Sequence, residues 1–585
     1  MPSFHQLAGL MTALLVGLSQ SAPSAVEQLK TRASTCNTAI DRACWSDGYD
    51  INTDYELDTP EGVTRTYEFN IQEYSNWEAP DGTIKETAML INGQFPGPTI
   101  TGDWGDTIEI RIINNLSING TGLHWHGLRM LNQNLQDGVV GVTECPIPPG
   151  GASKTYSFKL TQYGTTWYHS HLSAQYANGL FGAIVINGPA SANYDIDLGA
   201  YPINDWYNQS ADDIVVYTTN NARPPMSDNI FFNGTQINLD GDGGAYSTVS
   251  LTPGKTHLLR LYNPSAQHSF QVSIVGHNMT VIETDMVPVE PITVDNVFLG
   301  VGQRANVLIN ATATPGNYWM NVTIGLLCGG SANPYPAAIL HYTSVDEGLP
   351  TDMGTLDSTA TCRDSLDYVP IISRNTDLRN FAQTSNNTFD LDAYASPTIV
   401  WTINSSAINV AWDKPVVDYV MSGNTSYPTD ENIVLIDEEN TWTYWIMENH
   451  QHVPHPVHLH GHDFLVLGAS ADDAGSFTAA DKASLSGANP TRRDVTMLPT
   501  HGWVVLAFKA DNPGAWLFHC HIAWHVSGGL ALDFLEGRSD PDAFISPAEK
   551  SDYNDNCAAW SSYWDNSGLV KIDSGLKVRE LHFDS

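Results

Sequence analysis

The segments Tyr163-Gly-Thr-Thr-Trp-Tyr-His-Ser-His171 and Pro513-Gly-Ala-Trp-Leu-Phe-His-Cys-His521 share one pattern and set the organisation of this 585-residue chain. Aligned on their first histidines, they continue without gaps to Gly179-Leu180 and Gly529-Leu530. A third copy, Pro315-Gly-Asn-Tyr-Trp-Met-Asn-Val-Thr323, lies between them. An internal repeat of this kind predicts three duplicated domains.

The residues around these copies predict β-structure. Thr107-Ile-Glu-Ile-Arg-Ile-Ile113 alternates apolar and polar residues, and Trp503-Val-Val-Leu-Ala-Phe508 is a β-rich run. Turns rich in Pro, Gly, Asn and Asp separate such runs, and no long amphipathic helix is predicted. We therefore expect an all-β chain of antiparallel sandwich or barrel domains over residues 60–190, 191–370 and 371–560.

Paired histidines mark the outer copies. His124-Trp-His-Gly127 precedes the first copy, and His458-Leu-His-Gly461 precedes the last. The middle copy has Asn321 and Thr323 where the others have histidine, so domain 2 is predicted to be a spacer and scaffold. We expect the metal site to lie between domains 1 and 3.

The spacing of the histidines indicates a copper cluster. Alternate residues of a strand face the same side, so each His-X-His pair presents two imidazoles together. Eight imidazoles suit three copper ions with positions left for O₂. Unrelated core histidines and a zinc site are the alternatives, but zinc prefers closed four-ligand sites and performs no redox chemistry. The four pairs are His124/His126, His169/His171, His458/His460 and His519/His521.

The same alternation points Cys520 away from its two histidine neighbours. With His455 and His525 it supplies two nitrogens and a thiolate, the ligands of a blue-copper electron-transfer site. Leu530 stands at the weak axial position and has no donor atom. The reduction potential of the copper is therefore expected to be higher than at a site with an axial Met. Domain 1 has Thr121, Ser170, Gln175 and Leu180 where domain 3 has His455, Cys520, His525 and Leu530. Domain 1 has therefore lost the three ligands, and a single site of this kind is predicted, in domain 3.

Composition and the N-terminus indicate a secreted protein. The net charge of −38 and the pI of about 4.6 argue against binding to nucleic acid or to a membrane surface. Residues 1–32 contain a short apolar run followed by small residues, typical of a signal peptide with a possible propeptide. Ten glycosylation sequons support an extracellular glycoprotein, at Asn115, Asn119, Asn208, Asn233, Asn278, Asn310, Asn321, Asn386, Asn404 and Asn424.

The cysteine count is seven, which is odd for an oxidising compartment. Cys520 is the natural free thiol because it lies inside His-Cys-His. The other six could form three disulfides in fifteen possible pairings.

At the four histidine clusters the sequence resembles the multicopper oxidases, and specifically the laccases of the ascomycete type. The motifs are His124-Trp-His-Gly, Trp167-Tyr-His-Ser-His, His455-Pro-Val-His-Leu-His-Gly and His519-Cys-His-Ile-Ala-Trp-His525. The resemblance implies three cupredoxin-like Greek-key β-domains and four copper ions. It assigns His455, Cys520 and His525 to type 1 copper and His124 and His458 to type 2. The type 3 pair would take His126, His169, His171, His460, His519 and His521.

The resemblance also implies pairings and processing. It would join Cys36 to Cys44, Cys145 to Cys557, and Cys328 to Cys362, although another pairing stays open. Asp573-Ser-Gly-Leu576 in the tail, residues 561–585, matches a cleavage motif of the family, with cleavage after Leu576. An ordinary polar tail is the alternative.

The implied activity is that of a laccase acting on phenols and O₂. We expect a monomer, although the sequence leaves the oligomeric state open. Trp401 and Trp524 would line the substrate pocket, or else belong to the core. Gln267 stands where relatives place a pocket carboxylate, so it can hydrogen-bond a phenol but cannot act as a base. Asp137 matches an acidic residue near the type 2 copper, a candidate proton relay or orienting group, and the alternative is an Asp-Gly turn.

Two other functions stay open. A metal oxidase acting on Fe(II) needs carboxylates beside the type 1 histidines, and Ala523 stands where such relatives have an acidic residue. A copper-binding protein without turnover would favour Met-rich tracts, whereas the chain has only 12 Met and no such tract. The physiological phenol is open among lignin fragments, pigment precursors and defence phenols.

Overall fold

The computed structural model describes residues 36–221, 225–355, 360–395, 398–537 and 544–568. The predicted signal peptide in 1–32 and the predicted cleavage after Leu576 lie outside these ranges. Within them the regular secondary structure is mostly β-strand, as the alternation of apolar residues predicts. In Thr107–Asn114, for example, Ile108, Ile110 and Ile112 are fully buried while Glu109 and Arg111 are exposed.

The described residues in the first third of the chain form two four-stranded sheets and one short hairpin. One sheet has the order β4-β3-β6-β8, the other has the order β5-β10-β9-β7, and β1 pairs with β2. The strands are β1 Cys44–Ser46, β2 Tyr49–Asp50, β3 Thr64–Glu78, β4 Ile84–Ile91, β5 Gly97–Asp103, β6 Thr107–Asn114, β7 Leu123–His126, β8 Ala152–Lys159, β9 Gly164–Ser170 and β10 Phe181–Asn187.

The middle third forms a six-stranded and a five-stranded sheet. Their orders are β12-β11-β14-β19-β16-β17 and β13-β21-β20-β15-β18, and helix α1 spans Ala211–Asn220. The strands are β11 Ile196–Trp206, β12 Asn229–Phe232, β13 Thr248–Leu251, β14 Thr256–Tyr262, β15 Phe270–Ile274, β16 Met279–Thr284, β17 Val287–Val294, β18 Asn296–Leu299, β19 Arg304–Asn310, β20 Asn317–Thr323 and β21 Ala337–Tyr342.

The last third repeats that arrangement. Its sheets have the orders β23-β22-β25-β30-β27-β28 and β24-β32-β31-β26-β29. The helices are α2 Val417–Ser422, α3 Ala523–Ser527 and α4 Pro547–Ser567. The strands are β22 Thr388–Ala395, β23 Ile399–Ile403, β24 Ile433–Ile436, β25 Trp442–Asn449, β26 His455–Leu459, β27 Phe464–Ala469, β28 Arg492–Arg493, β29 Val495–Leu498, β30 Trp503–Lys509, β31 Gly514–Cys520 and β32 Ala531–Glu536.

The three sequence copies occupy the same place in their sheets. They form β9, β20 and β31, each between the strand that follows it and an earlier strand of its own repeat. In each repeat the following strand also pairs in parallel with an edge strand. The internal repeat read from the sequence is therefore a repeat of sheet topology.

Helix α4 differs from the sequence expectation, because no long helix was predicted there. Ser546 caps it with Glu549 in a reciprocal capping box, and Pro547 occupies its first turn. Only Tyr553 and Trp560 are buried along its 21 residues, so the helix carries no apolar stripe for sequence periodicity to detect. The helix also runs past the predicted domain boundary at residue 560.

Three disulfides join the described cysteines, in the pairings that the family resemblance implies. They are Cys36–Cys44, Cys145–Cys557 and Cys328–Cys362. The second attaches α4 to the N-terminal sheets, and Cys520 is the free, buried cysteine.

One predicted glycosylation site is corrected by its surroundings. Asn321 is only 4% exposed, and its side-chain amide donates to the carbonyl of Met353 at 3.1 Å. A glycan on this nitrogen would require an exposed amide and the loss of this hydrogen bond, so the structure does not fit glycosylation at Asn321. In the described part of the chain, no helix is both long enough and apolar enough to cross a bilayer.

Candidate metal centre and its cavity

The predicted histidine pairs meet because two equivalent strand pairs carry them. Strand β7 pairs with β9 and places His124 opposite His169, while β26 pairs with β31 and places His458 opposite His519. The strands end one residue before the second histidine of three pairs, at His171, His460 and His521. All eight imidazoles are buried.

The nitrogens of these histidines converge from both ends of the chain. Within each of three groups, one ligand nitrogen per residue lies within 4.8 Å of the others. Two of the groups combine histidines of the first and last repeats, which fits a centre between these repeats. The groups are His124/His458/His460, His171/His460/His519 and His124/His126/His169.

Hydrogen bonds orient several rings by occupying one nitrogen. The Nδ1–H of His169 donates to the carbonyl of Ser170 (3.0 Å), and that of His519 donates to the carbonyl of Cys520 (2.9 Å). Burial lowers the pKa of both imidazoles well below 6.5, so the rings are neutral. Neutral rings with a fixed tautomer leave the other nitrogen as a metal ligand.

Copper fits this donor set. Among the eight cluster histidines, four buried Nε2 atoms make no hydrogen bond, although a buried polar atom ordinarily makes one. They belong to His124, His126, His169 and His458. A cluster of imidazole nitrogens in both repeats is suited to copper, whereas a closed four-ligand zinc site would not use so many.

Asp137 is both a turn residue and a partner of the histidines. Its carboxylate Oδ2 accepts from Nδ1 of His460 (2.9 Å), and its backbone carbonyl accepts from Nδ1 of His124 (2.9 Å). Gly138 follows with a φ of +76°, and a Cβ there would lie 1.8 Å from the carbonyl oxygen of Leu123. The two interpretations of Asp137 from sequence are therefore compatible, since the tight turn brings the carboxylate to His460.

Asp494 is a partner of the histidines that was not predicted from the sequence. Its backbone carbonyl accepts from Nδ1 of His458 (2.8 Å), and its carboxylate lies 3.3 Å from Nε2 of His126. Arg304 binds the same carboxylate through both terminal nitrogens, at 2.6 and 2.5 Å. The three successive charges of Arg492-Arg493-Asp494, buried in a strand-rich segment, were the available signal.

Arg304 belongs to the middle repeat, which was predicted to be a spacer and scaffold. The loop before Arg304 brings Gly302 against the cluster with a φ of +88°. A Cβ on Gly302 would lie 3.1 Å from Cε1 of His126 and 3.2 Å from Cδ2 of His521. The middle repeat supplies no predicted ligand, but it packs directly against two of the histidines.

A second site surrounds Cys520. Its sulfur lies 3.4 Å from Nδ1 of His455 and 3.6 Å from Nδ1 of His525, and the two nitrogens are 3.2 Å apart. Burial raises the pKa of the Cys520 thiol and lowers the pKa of His455 to about 3. A metal ion would therefore meet neutral imidazoles and would have to displace the thiol proton. Leu530 is fully buried, and its carbonyl accepts from the Cys520 N–H (3.1 Å).

The equivalent place in the first repeat is closed by hydrogen bonds. Oε1 of Gln175 accepts from the hydroxyls of Thr121 (2.7 Å) and Ser170 (2.6 Å). These residues satisfy one another and offer no thiolate or imidazole. The arrangement fits the prediction of a single mononuclear site.

A cavity of about 500 Å³ opens beside the Cys520 site. His525 is half-buried and lines it, together with Trp401, Trp524 and Gln267. None of the described lining residues is Asp, Glu, Lys or Arg. Trp524 is only 4% exposed, so it packs in the core and also lines the cavity. Its indole N–H donates to Oε1 of Gln267 (3.0 Å).

Comparison with known proteins agrees with this geometry. The multicopper oxidase family matches residues 73–191, 199–344 and 385–540. Laccase-1 of Melanocarpus albomyces is 54% identical over 97% of this chain and 93% of that protein. The laccase of Neurospora crassa is 52% identical over 93% and 91%. The crystal structure of the Botrytis aclada laccase superimposes with a TM-score of 0.85 at 37% identity, covering 92% of this chain and 99% of that one.

Proposed function

This chain belongs to the multicopper oxidase family, and from that premise we propose that it is a laccase that oxidises phenols and reduces O₂ to water. Relatives named laccase align with nearly the whole chain at 50–54% identity. The observation that carries the proposal is the position of His525. This side chain belongs to the Cys520 site and also forms a wall of an aromatic-lined cavity, so a phenol can reach the edge of a ligand.

The enzyme carries four copper ions, which we assign to ligands as the family motif implies. His455, Cys520 and His525 would hold type 1 copper, with Leu530 near it as a residue that does not coordinate. Type 2 copper would take His124 and His458, and the type 3 pair would take His126, His169, His171, His460, His519 and His521. Bound copper would supply the one-electron oxidation of the substrate and the four-electron reduction of O₂.

The chain itself connects the two copper sites. Cys520 lies between His519 and His521 in the sequence, so covalent bonds link the type 1 ligand to two ligands of the cluster. His519 is further fixed by the bond from its Nδ1–H to the Cys520 carbonyl. These bonds hold the type 1 site, which donates electrons, and the cluster, which accepts them, at a constant separation.

Gln267 gives the cavity a hydrogen-bond donor where the family resemblance implies a carboxylate. Because the Trp524 N–H must meet an oxygen, Oε1 of Gln267 is occupied and its Nε2 amide is left for the cavity. An amide N–H donates to the oxygen of a phenol or phenolate and cannot remove its proton. We therefore propose that the cavity favours phenols that present an acceptor, such as a phenolate, methoxy or carboxylate oxygen.

Asp137 acts in this proposal as a positioning residue for His460, and the Asp494 carbonyl does the same for His458. Hydrogen bonds to ligand histidines commonly change metal affinity or activity by about 10- to 100-fold when removed. Asp137 is also our candidate for supplying protons near the cluster, since O₂ reduction consumes them.

A metal oxidase acting on Fe(II) is the second candidate. The multicopper oxidase Fet3p, which functions in iron import, shares the fold with a TM-score of 0.75 at 24% identity. Capture of Fe(II) requires carboxylates, and the described lining of the cavity has none. Ala523 is fully buried and offers only a methyl group. These features favour phenols over iron.

The wider organisation follows the same proposal. The cupredoxin-like domains span 60–190, 191–370 and 371–560, with the cluster between the first and third. We propose that the protein is secreted, since disulfides form and persist in oxidising compartments. We also propose that it is a monomer. Removal of residues 1–32 and cleavage after Leu576 are part of this proposal.

The test is O₂ uptake by copper-replete, tail-processed protein, with a dimethoxyphenol and Fe(II) compared at equal concentration. A laccase consumes O₂ rapidly with the phenol, slowly with iron, and without accumulating peroxide. Faster uptake with Fe(II) would favour the metal oxidase. Absence of uptake with either, in protein that retains its blue colour, would contradict turnover at the cluster.

A further inference from the structure

One close pair of histidines, His452 and His501, lies outside the proposed copper sites. Nε2 of His501 is 2.8 Å from Nδ1 of His452, and the rings meet at 88° with centroids 4.3 Å apart. Across the described ranges, three other contacts in hydrogen-bonding geometry join two histidine nitrogens, each at 3.2 Å. All three belong to the proposed copper ligands: His460 with His519, His521 with His126, and His455 with His525.

Hydrogen bonds of the backbone hold His452 and His501 close together. His452 precedes β26, and His501 lies in the turn between β29 and β30. The His501 N–H donates to the carbonyl of Gln451 (3.1 Å), and the Thr500 hydroxyl donates to the carbonyl of His452 (3.2 Å). His501 adopts a φ of +41°, in the left-handed region that non-glycine residues rarely occupy. The two loops are thus bound to each other, and their approach does not depend on side-chain rotamers alone.

The position of the pair relates it to the cavity. His452 is exposed and also lines the cavity, three residues before the type 1 ligand His455. It is therefore a part of the cavity lining that solvent reaches readily. An ion held by His452 would lie at this exposed part of the lining, to which His525 also belongs.

We propose that His452 and His501 form a binding site for a divalent cation of the Zn²⁺ or Cu²⁺ type, and that the bound ion hinders phenols from entering the cavity. Zinc bonds to histidine nitrogen of about 2.0–2.1 Å, at a tetrahedral angle, separate two such nitrogens by about 3.3–3.4 Å. The observed 2.8 Å requires a small opening, which the exposed His452 ring permits. Water completes the coordination. Ion binding is independent of the proposed function, whereas the hindrance rests on it.

The binding test is calorimetric titration of the copper-replete protein with Zn²⁺ at about pH 7.5, where most imidazoles are neutral. The variants are His452→Gln and His501→Asn, since Asn tolerates a positive φ. His450→Gln is the matched control, because His450 is exposed but bonds Asp390 (3.0 Å) instead of a histidine. The blue absorption is followed throughout to verify that copper stays bound.

We expect wild type and His450→Gln to bind one Zn²⁺, and both pair variants to bind it at least about tenfold more weakly. Unchanged affinity in both pair variants would overturn the site and leave the pair as a hydrogen bond only. In kinetics, Zn²⁺ should raise the apparent KM for a dimethoxyphenol severalfold without lowering kcat, and only in proteins that bind it. Zinc binding with an unchanged KM would overturn the hindrance. Failure of the laccase proposal would instead appear as absent phenol oxidation before zinc is added.

Discussion

The indole of Trp401 stacks on the imidazole of His525, with ring centroids 3.9 Å apart and 29° between the ring planes. The same indole meets His455 edge-on at 5.3 Å. Trp401 is half-buried, lines the cavity, and donates its backbone N–H to the carbonyl of Gly528 (3.1 Å). One side chain therefore supports both imidazoles of the proposed type 1 site and forms a wall for substrate.

Replacing Trp401 by Leu should weaken phenol binding. Aromatic contacts contribute about 0.5–1.5 kcal/mol beyond the burial of their area, so the KM for a dimethoxyphenol should rise about two- to tenfold. Trp401→Phe keeps an aromatic wall and should lie between the two proteins. Steady-state kinetics measures the change, and the blue absorption verifies that the type 1 site is retained. An unchanged KM in Trp401→Leu would remove this residue from the substrate pocket.

Gln267→Glu should reverse the proposed preference of the cavity for phenols that present a hydrogen-bond acceptor. The Trp524 N–H can still donate to a carboxylate, so the fold of the cavity is retained, but a donor becomes a negative charge. Oxidation of a carboxylated phenol relative to the matching neutral phenol should fall by about tenfold, corresponding to about 1.4 kcal/mol of discrimination. The ratio of the two kcat/KM values measures this effect. A ratio equal to that of the wild type would mean that Gln267 does not face the substrate.

The repeated motifs predicted the β-fold because each copy carries the same strand and the same parallel neighbour. They also indicated which histidines lie close together, since the pairing of β7 with β9 and that of β26 with β31 have the same register. Sequence periodicity detected Ile108, Ile110 and Ile112 for the same reason, as each faces the core.

The partners contributed from distant segments could not be predicted in this way. Arg304 and Asp494 are 190 residues apart, and each alone is an ordinary charged residue. The proximity of His452 and His501 depends on two loops, whose conformation carries no periodic signal. Helix α4 escaped prediction because only Tyr553 and Trp560 are buried along it.

Removing the Asp137 carboxylate should affect the cluster and spare the type 1 site. Asp137→Ala leaves Nδ1 of His460 without its acceptor in a fully buried setting, so the ring loses its fixed orientation. O₂ uptake should fall by about 10- to 100-fold, and copper content should fall below four ions per chain. Asp137→Asn retains an acceptor and should lose less. Full copper content with normal uptake in Asp137→Ala would contradict the positioning role.

Leu530→Met should lower the potential of the type 1 site. A thioether offers weak axial donation that stabilises Cu(II) over Cu(I), whereas leucine offers none. Redox titration of the blue absorption measures the midpoint, and Leu530→Ile serves as the control without a donor. If both variants shift the midpoint equally, packing around Leu530 controls the potential and axial donation does not.

Glu56 gathers three arginines from separate parts of the chain. Its carboxylate lies 3.0 Å from Arg374, 3.5 Å from Arg129 and 3.7 Å from Arg492. Burial alone would raise the pKa of Glu56, but these charges outweigh it and hold the pKa at about 2. The carboxylate therefore joins the segment before β3 to the first and last repeats.

This network predicts a specific loss of stability in acid. Because the pKa of Glu56 is lowered from 4.5 to about 2 on folding, its contribution of about 3 kcal/mol is complete above pH 4.5 and is lost as pH falls toward 2. Glu56→Gln should lower the Tm at pH 7 by several degrees, and the difference from wild type should shrink below pH 4. The control is Glu68→Gln, which removes an exposed pair with Arg111 and should change the Tm very little. Calorimetric scans from pH 7 to pH 3 measure both variants, and an equal Tm difference at every pH would attribute the loss to packing instead of charge.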